Sequence, residues 1–393
     1  MTKEDILKNY DEYILSTYTR TPAVFVKGKG SILTDVDGRK YLDFFPGWGV
    51  NNLGHCHPKV VSAVRDQIDT LIHIPNNLHH PHQPKLAKEI IRQSFPGKLF
   101  FCNSGAEAAE AAIKFARAYG QGQRYEIISM LNSFHGRTLA ALSATGQKKY
   151  QEGFSPLPGG FKNVPFNDLP ALEAALTDET VAIFLELIQG EGGIHVARPD
   201  YIRRIRQICD EKNILLILDE VQTGIGRTGE MFCFKHYGIQ PDLMTLAKAL
   251  GGGLPIGVLV VKKSIAATFK PGMHASTFGG SPLVCKASLS VFKALEKYKM
   301  LQNTRRMGEY FQGKLSDLKE KFDCIREVRG LGLMLGLELT IEGKDIVAEC
   351  FERGLIINCT QGNVLRLMPA LNVTKKQIDR ALYILEQSLR KLS

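Results

Sequence analysis

Nothing in the 393-residue chain is apolar for long enough to cross a bilayer. The longest apolar runs, 214–218 and 256–261, are closed by Asp219 and by Lys262 and Lys263, well short of the roughly 20 residues a membrane helix needs. No apolar segment follows a basic patch after Met1-Thr2-Lys3-Glu4-Asp5, so no secretory leader is expected and the cytoplasm is the expected compartment. The eight cysteines (Cys56, Cys102, Cys209, Cys233, Cys285, Cys324, Cys350 and Cys359) are too sparse for a disulfide scaffold and form no Cys-x-x-Cys pair, which predicts reduced thiols. A Gly-x-x-x-x-Gly-Lys-Ser/Thr string is missing, which removes a Walker-type triphosphate loop. Fifty Lys and Arg against forty Asp and Glu leave a net charge of +10, but the basic residues are scattered and match no nucleic-acid module, so no nucleic acid is expected as partner. Repeats and low-complexity tracts are absent as well.

What is present is core material. At 44% hydrophobic and 23% charged residues the chain is globular, and at ~150 residues per unit its length suggests two or three folding units. Val24-Phe25-Val26, Ser31-Ile32-Leu33-Thr34 and Tyr41-Leu42-Asp43-Phe44, with Asp37-Gly38 between the last two, predict a small antiparallel meander. Helical periodicity follows over 60–72 and 84–95, and then buried-strand runs alternate with helices. The strand candidates are 99–101, 126–130, 181–187, 214–219, 243–247 and 257–261. Near-continuous apolar strands between helices imply an α/β fold, its mostly parallel sheet covered on both faces and its ligands at the carboxyl ends of the strands. A long helical stretch from about residue 285, short strands at 325–330, 335–339, 354–357 and 364–367, and a closing helix over 376–392 predict a smaller α+β domain. The expected division is an amino-terminal segment, 1–60, packing with the small domain; a large domain, 61–284; and the small carboxyl-terminal domain, 285–393.

Three motifs carry chemistry. Leu99-Phe100-Phe101 leads through Cys102-Asn103-Ser104-Gly105-Ala106 into a helix from Glu107, and a glycine turn there aims free N–H groups and the positive helix end at one point, which suits a phosphate. The same residues also read as a capping box, with Ser104 as N-cap and Glu107 three positions on. The strand ending in Asp219 delivers an acid at its carboxyl end, followed by Glu220-Val221-Gln222. Lys248 lies within the apolar run Leu246–Leu250 ahead of Gly251-Gly252-Gly253, where desolvation depresses a lysine pKa and yields the neutral amine that attacks carbonyls. Two tempting strings are set aside. Gly224-Ile225-Gly226-Arg227-Thr228-Gly229 matches Gly-x-Gly-x-x-Gly but neither follows its strand directly nor opens a clear helix, so it is no nicotinamide site. His55, His57, His79, His80 and His82 lack metal-ligand spacing, and no metal is expected.

Phosphate turn, strand-end acid and buried lysine are jointly what a pyridoxal phosphate enzyme needs. From about Tyr18 onward the chain resembles the class III pyridoxal-phosphate-dependent aminotransferases of fold type I, nearest their acetylornithine branch. The resemblance rests on Leu53-Gly54-His55-Cys56-His57-Pro58, Asn103–Ala108, Phe134-His135-Gly136-Arg137-Thr138, Gln189-Gly190-Glu191-Gly192-Gly193, 219–229, 245–257, Ser276-Thr277-Phe278-Gly279-Gly280 and Leu365-Arg366-Leu367-Met368-Pro369. It implies a pyridoxal 5′-phosphate site. Lys248 is then the covalent anchor and proton shuttle, Asp219 the partner of the ring nitrogen, and Gln222 that of the phenolic oxygen. Phe134 and Val221 sandwich the ring. Ser104, Gly105 and Ala106 hold the phosphate, helped by Thr277 from a neighbouring subunit, so a homodimer with shared active sites is implied.

On the substrate side the resemblance implies Arg137 and Arg366 as carboxylate clamps, Glu191 as an acid that neutralises an arginine and swings away for a dicarboxylate, and Ser276 as a lining residue. The implied reaction moves the ω-amino group of N2-acetyl-L-ornithine to 2-oxoglutarate within arginine biosynthesis. Ornithine, 4-aminobutyrate or N-succinyl-diaminopimelate are alternative donors, and a same-fold aminomutase is the alternative reaction. Three positions depart from the family pattern: Ala106 stands where a threonine is usual, His79-His80 where two tyrosines are usual, and Trp48 in a stretch that is usually aliphatic.

Overall fold

A computed structural model describes residues 1–392. Its centre is a seven-stranded sheet in the spatial order Gly97–Cys102, Gly257–Lys262, Leu243–Leu246, Leu215–Asp219, Thr180–Glu186, Glu126–Met130, Phe161–Val164. Every strand runs in one direction except Gly257–Lys262, which is antiparallel to both its neighbours. The sheet is thus mostly parallel. Period-two alternation sorts its side chains into two layers. Ile128, Ile183, Leu185, Leu216, Leu218, Met244 and Val260 join one hydrophobic cluster, with Ile202, Ile205 and Ile208 of helix Pro199–Lys212. Ile127, Ala182, Phe184, Leu215, Ile217, Leu243 and Leu259 join the other, with Ala109, Ile113 and Phe115 of helix Gly105–Tyr119. Both faces are covered, which is why these strands read as unbroken apolar runs.

Phe161–Val164 is the one central strand absent from the sequence-based candidates. It is an edge strand of four residues, three of them only partly buried, so it carries little apolar signal. The amino-terminal meander forms as expected, from Phe25–Lys29, Ile32–Asp35 and Lys40–Asp43. The run read as a strand over 354–357 forms Leu355–Ile356, and a further short strand, Asn358–Thr360, lies just beyond that run and was not among the candidates. Leu355–Ile356 pairs in parallel with Leu42 and Asp43 of the meander, whereas Asn358–Thr360 pairs with Val364–Leu367 in a separate sheet with Ile325–Leu331 and Met334–Leu339. Asn358–Thr360 is three residues long and only weakly apolar, so it leaves no strand signal in the sequence.

The rejected glycine string 224–229 turns into a structural junction. Arg227 is fully buried and donates to the Leu333 carbonyl (2.9 Å), the Pro369 carbonyl (2.6 Å) and the Asn52 side-chain oxygen. It ties the loop after Asp219 to the amino-terminal segment and to the strand that carries Arg366.

Candidate active site

The carboxyl ends of the central strands open into a cavity of about 480 Å³, within the range of small-molecule sites. Gly105 and Ala106 border it at the start of the helix Gly105–Tyr119. Ser104 is extended and caps that helix, its Oγ accepting from Glu107 N–H at 3.1 Å. The box is not reciprocal, because Glu107 reaches past the cap to accept from Asn103 N–H (2.8 Å) and Asn103 Nδ2 (2.9 Å). The first-turn N–H groups of Gly105 and Ala106 have no partner within a helix and border the cavity. A Cβ at Gly105 would stand 2.9 Å from Val221 Cγ1, so glycine is what lets this turn approach the opposite wall.

Asp219 ends its strand in the cavity floor, 6% exposed. One carboxylate oxygen accepts from Val221 N–H at 3.0 Å and the other lies 2.7 Å from His135 Nδ1. His135 is itself buried, stacked on Phe184 at 3.9 Å, so the carboxylate cannot turn freely. Glu186 lies on the neighbouring strand in register with Asp219. Burial pushes its carboxyl up to about 7, although it accepts from Phe134 N–H (3.0 Å) and Gly190 N–H (2.9 Å). Sequence reasoning missed both Glu186 and the His135 contact, yet Glu186 closes a buried strand just as Asp219 does, and that was an available signal.

Lys248 enters the cavity from the turn after Leu243–Leu246, at a φ of 43°, a left-handed conformation that a lysine adopts at some cost. Burial lowers its pKa, opposed by the carboxylates of Glu191, Asp219 and Glu186. Phe134, Val221 and Gln222 complete the wall, and the Gln222 Oε1 is buried without a hydrogen-bond partner among the described residues.

Two arginines lie toward the other end. Arg366, 1% exposed, pairs bidentately with Glu191 (Nη1 to Oε1 2.6 Å, Nη2 to Oε2 3.2 Å), and its Nε donates to Asn358, directly opposite on the adjoining strand, at 2.8 Å. Its guanidinium also lies over the rings of Phe45 (4.7 Å) and Trp48 (5.3 Å). Trp48, 49% exposed, therefore covers the arginine rather than filling the cavity. Arg137 is exposed and stacks on Tyr150 at 4.0 Å and on Phe134 at 5.6 Å, with no ion pair among the described residues.

Ser276 and Thr277 are not brought to this cavity within the chain. Ser276 Oγ accepts from Gly279 N–H (3.1 Å) and from Asn103 Nδ2 (3.2 Å), and both residues border a separate depression beside Phe278. His79 and His80 likewise line another hollow, with Asn76, Phe100 and His274. The methyl of Ala106 packs toward Gly136, where an added Cβ would sit 2.9 Å from it.

A family model described as aminotransferase class-III matches residues 13–389. The acetylornithine aminotransferase of Methanocaldococcus jannaschii is 53% identical over 391 residues, 98% of each chain. That of Caldanaerobacter subterraneus subsp. tengcongensis is 52% identical over 386 residues, 97% of this chain and 98% of its own. Among solved structures, an ornithine aminotransferase from Toxoplasma gondii, crystallised with oxidised glutathione and showing partial occupancy of PLP at its active site, superposes with a TM-score of 0.96. It is 32% identical, with 100% of this chain and 95% of that one covered.

Proposed function

The chain belongs to the class III aminotransferases, and from that membership we propose that it moves the ω-amino group of N2-acetyl-L-ornithine to 2-oxoglutarate, giving the semialdehyde and L-glutamate. The observation that carries this reading is the asymmetry between Arg137, which lines the cavity, and Arg366, which is buried against the cavity-lining Glu191. Arg366 is neutralised by Glu191 while Arg137 has no ion pair among the described residues, an arrangement suited to a donor with one carboxylate and, once Glu191 turns away, to an acceptor with two. The names of the relatives at 53% and 52% identity support the choice of donor.

The residues fit pyridoxal 5′-phosphate. A turn with no room for a Cβ faces Val221, two helix N-terminal N–H groups border the cavity, and Gln222 brings to it a side-chain amide whose N–H, on an amide flip, can donate to an oxygen. When bound, the cofactor supplies an electrophilic carbonyl and a ring that absorbs carbanion charge. Ser104, Gly105 and Ala106 would hold its phosphate at the positive helix end. Asp219, its orientation set by His135, would hold the proton on the ring nitrogen, and the Gln222 amide Nε2–H would donate to the phenolic oxygen. Phe134 and Val221 would fix the ring plane and exclude water. The Lys248 amine, its charged form disfavoured by burial, is the nucleophile and then carries the proton away from the amine-bearing carbon of the donor.

Thr277, exposed beside a Phe278 that is 63% exposed, supports a homodimer in which it reaches the partner's phosphate. A substrate-lining role for Ser276 belongs to the same shared site. A cytoplasmic setting in arginine biosynthesis and the division at about residues 60 and 284 are parts of the same reading. The test is glutamate formation from 2-oxoglutarate with each candidate donor. The highest kcat/KM for N2-acetyl-L-ornithine supports the assignment; a higher value for ornithine, 4-aminobutyrate or N-succinyl-diaminopimelate moves the donor. Turnover without 2-oxoglutarate replaces the transaminase with an aminomutase.

A further inference from the structure

The backbone around Glu191 is held from several directions. Gly190 N–H donates to Glu186 (2.9 Å), the Gly190 carbonyl accepts from Arg366 Nη1 (2.9 Å), and the Gly193 carbonyl accepts from Arg329 Nε (2.8 Å). The Glu191 carbonyl accepts twice, from Thr360 Oγ1 and from Gln361 Nε2, each at 2.6 Å. Space is closed too: a Cβ on Gly190 would fall 2.0 Å from Gln222 Oε1, and one on Gly192 2.7 Å from the Asn132 carbonyl. The Glu191 carboxylate is held differently. Among the described residues its only hydrogen bonds go to Arg366.

Thr360 ends Asn358–Thr360 and Gln361 opens the turn to Val364–Leu367, the strand that carries Arg366. Gln361 has a φ of 53° and Gly362 of 81°. Glycine or asparagine is the residue expected in that left-handed region. A glutamine there is accounted for by its amide, which reaches the Glu191 carbonyl and lies 3.3 Å from Gln147 Oε1. Gln147 in turn donates to the Asn132 and Ser133 carbonyls at 3.2 and 3.0 Å, immediately before Phe134 and close in sequence to Arg137. One turn therefore braces the acid that neutralises Arg366 and, through Gln147, the segment that leads to Arg137.

We infer that Thr360 and Gln361 are positioning residues for the Glu191–Arg366 pair: they pin the Glu191 backbone so that the closed pair is preorganised and opening is a rotation of the Glu191 side chain alone. The inference rests on the transaminase reading above. A donor with one carboxylate needs Arg366 neutralised, and a dicarboxylate needs it released. Slack in the backbone costs the closed pair its preorganisation and favours the open one. The two classes of substrate must then respond in opposite directions, whereas general damage to the fold weakens both.

The experiment uses the full-length holoenzyme with Thr360→Val, Gln361→Asn and, as restoration, Thr360→Ser. Asparagine keeps the left-handed turn but shortens the reach, so Gln361→Asn tests the contact even where Thr360→Val fails to fold. Two quantities are read: the donor KM, and the calorimetric Kd of glutarate, a dicarboxylate that cannot transaminate. The expected result is a donor KM raised about three- to tenfold, the scale of one lost hydrogen bond, with glutarate binding unchanged or tighter, and both values returned by Thr360→Ser. Weakening of both substrates together, or no change in either, overturns the inference. Glu191→Gln is the reference. If it separates the two constants and the turn variants do not, the positioning role alone fails. If Glu191→Gln separates nothing, the substrate-clamp reading fails and takes this inference with it.

Discussion

The two ends of the cavity are built differently. At the Lys248 end, Asp219 and Glu186 close adjacent buried strands, His135 is wedged between Asp219 and Phe184, and Ser104 caps a 15-residue helix. Each group there has one arrangement available. At the arginine end, Arg366 donates to a partly exposed carboxylate beneath a half-exposed Trp48, and Arg137 rests on a ring with no charge partner among the described residues. The Glu191 carboxylate and the Arg137 guanidinium at that end are held by fewer partners. The difference matches two demands on one transaminase: a single chemistry repeated in both half-reactions, and two unlike substrates accepted in turn.

Breaking the rigid end is expected to cost most. Lys248→Ala removes nucleophile and proton carrier together and is expected to lower kcat by about 10³-fold or more, measured as single-turnover conversion of the donor. Asp219→Asn keeps the shape but loses the charge that holds the ring proton, and a fall in kcat of about 10²-fold or more is expected, of the order seen when one preorganised electrostatic contact is removed. Donor KM should change little in that variant, which separates the two ends of the cavity.

Breaking the adaptable end is expected to shift selectivity rather than abolish turnover. Arg366→Met removes the bidentate site, and KM for 2-oxoglutarate should rise about ten- to a hundredfold, the scale of lost charge-assisted hydrogen bonds, with kcat for the donor half-reaction far less affected. Equal losses in both half-reactions would erase the distinction drawn here.

The smallest effect concerns Glu186. Its folded carboxyl is held up to about 7, above the ordinary value of 4.5, so between those limits the folded protein keeps a proton that the unfolded chain has released. Its contribution to stability therefore falls as pH rises from 4.5 to about 7 and is flat above. Glu186→Gln should remove that part of the slope, read as Tm against pH. Glu220, raised to about 7 by burial in the same way, should leave a residual slope in the variant.

Much of this fold was legible because its strands are buried on both faces. Runs such as 181–187 and 214–219 announce themselves by composition, and the acid and lysine that interrupt such runs stand out against them. Phe161–Val164 was hidden by its half-exposed edge position and Asn358–Thr360 by its three-residue length, and pairing of the latter in a different sheet from Leu355–Ile356 is not written locally. The same limit applies at the site. Lys248, Asp219 and the Gly105 turn were visible as local oddities, whereas His135 against Asp219, Tyr150 beneath Arg137 and Gln361 on the Glu191 carbonyl join residues far apart in sequence or in separate elements. Sequence spacing did not show that Trp48 lies over Arg366 or that Ser276 lies away from its own chain's cavity, whereas Thr277 was expected from the resemblance to serve a neighbouring subunit.

The central claim is that Lys248, Asp219 and the paired arginines serve one amino-transfer site. Its most direct test is the visible absorbance of the purified protein before and after N2-acetyl-L-ornithine is added with no keto acid present. The account predicts a cofactor band that converts to the pyridoxamine form and is restored by 2-oxoglutarate. A protein that takes up pyridoxal 5′-phosphate but shows no spectral change with any of the four donors, at any pH where it is folded, would contradict it.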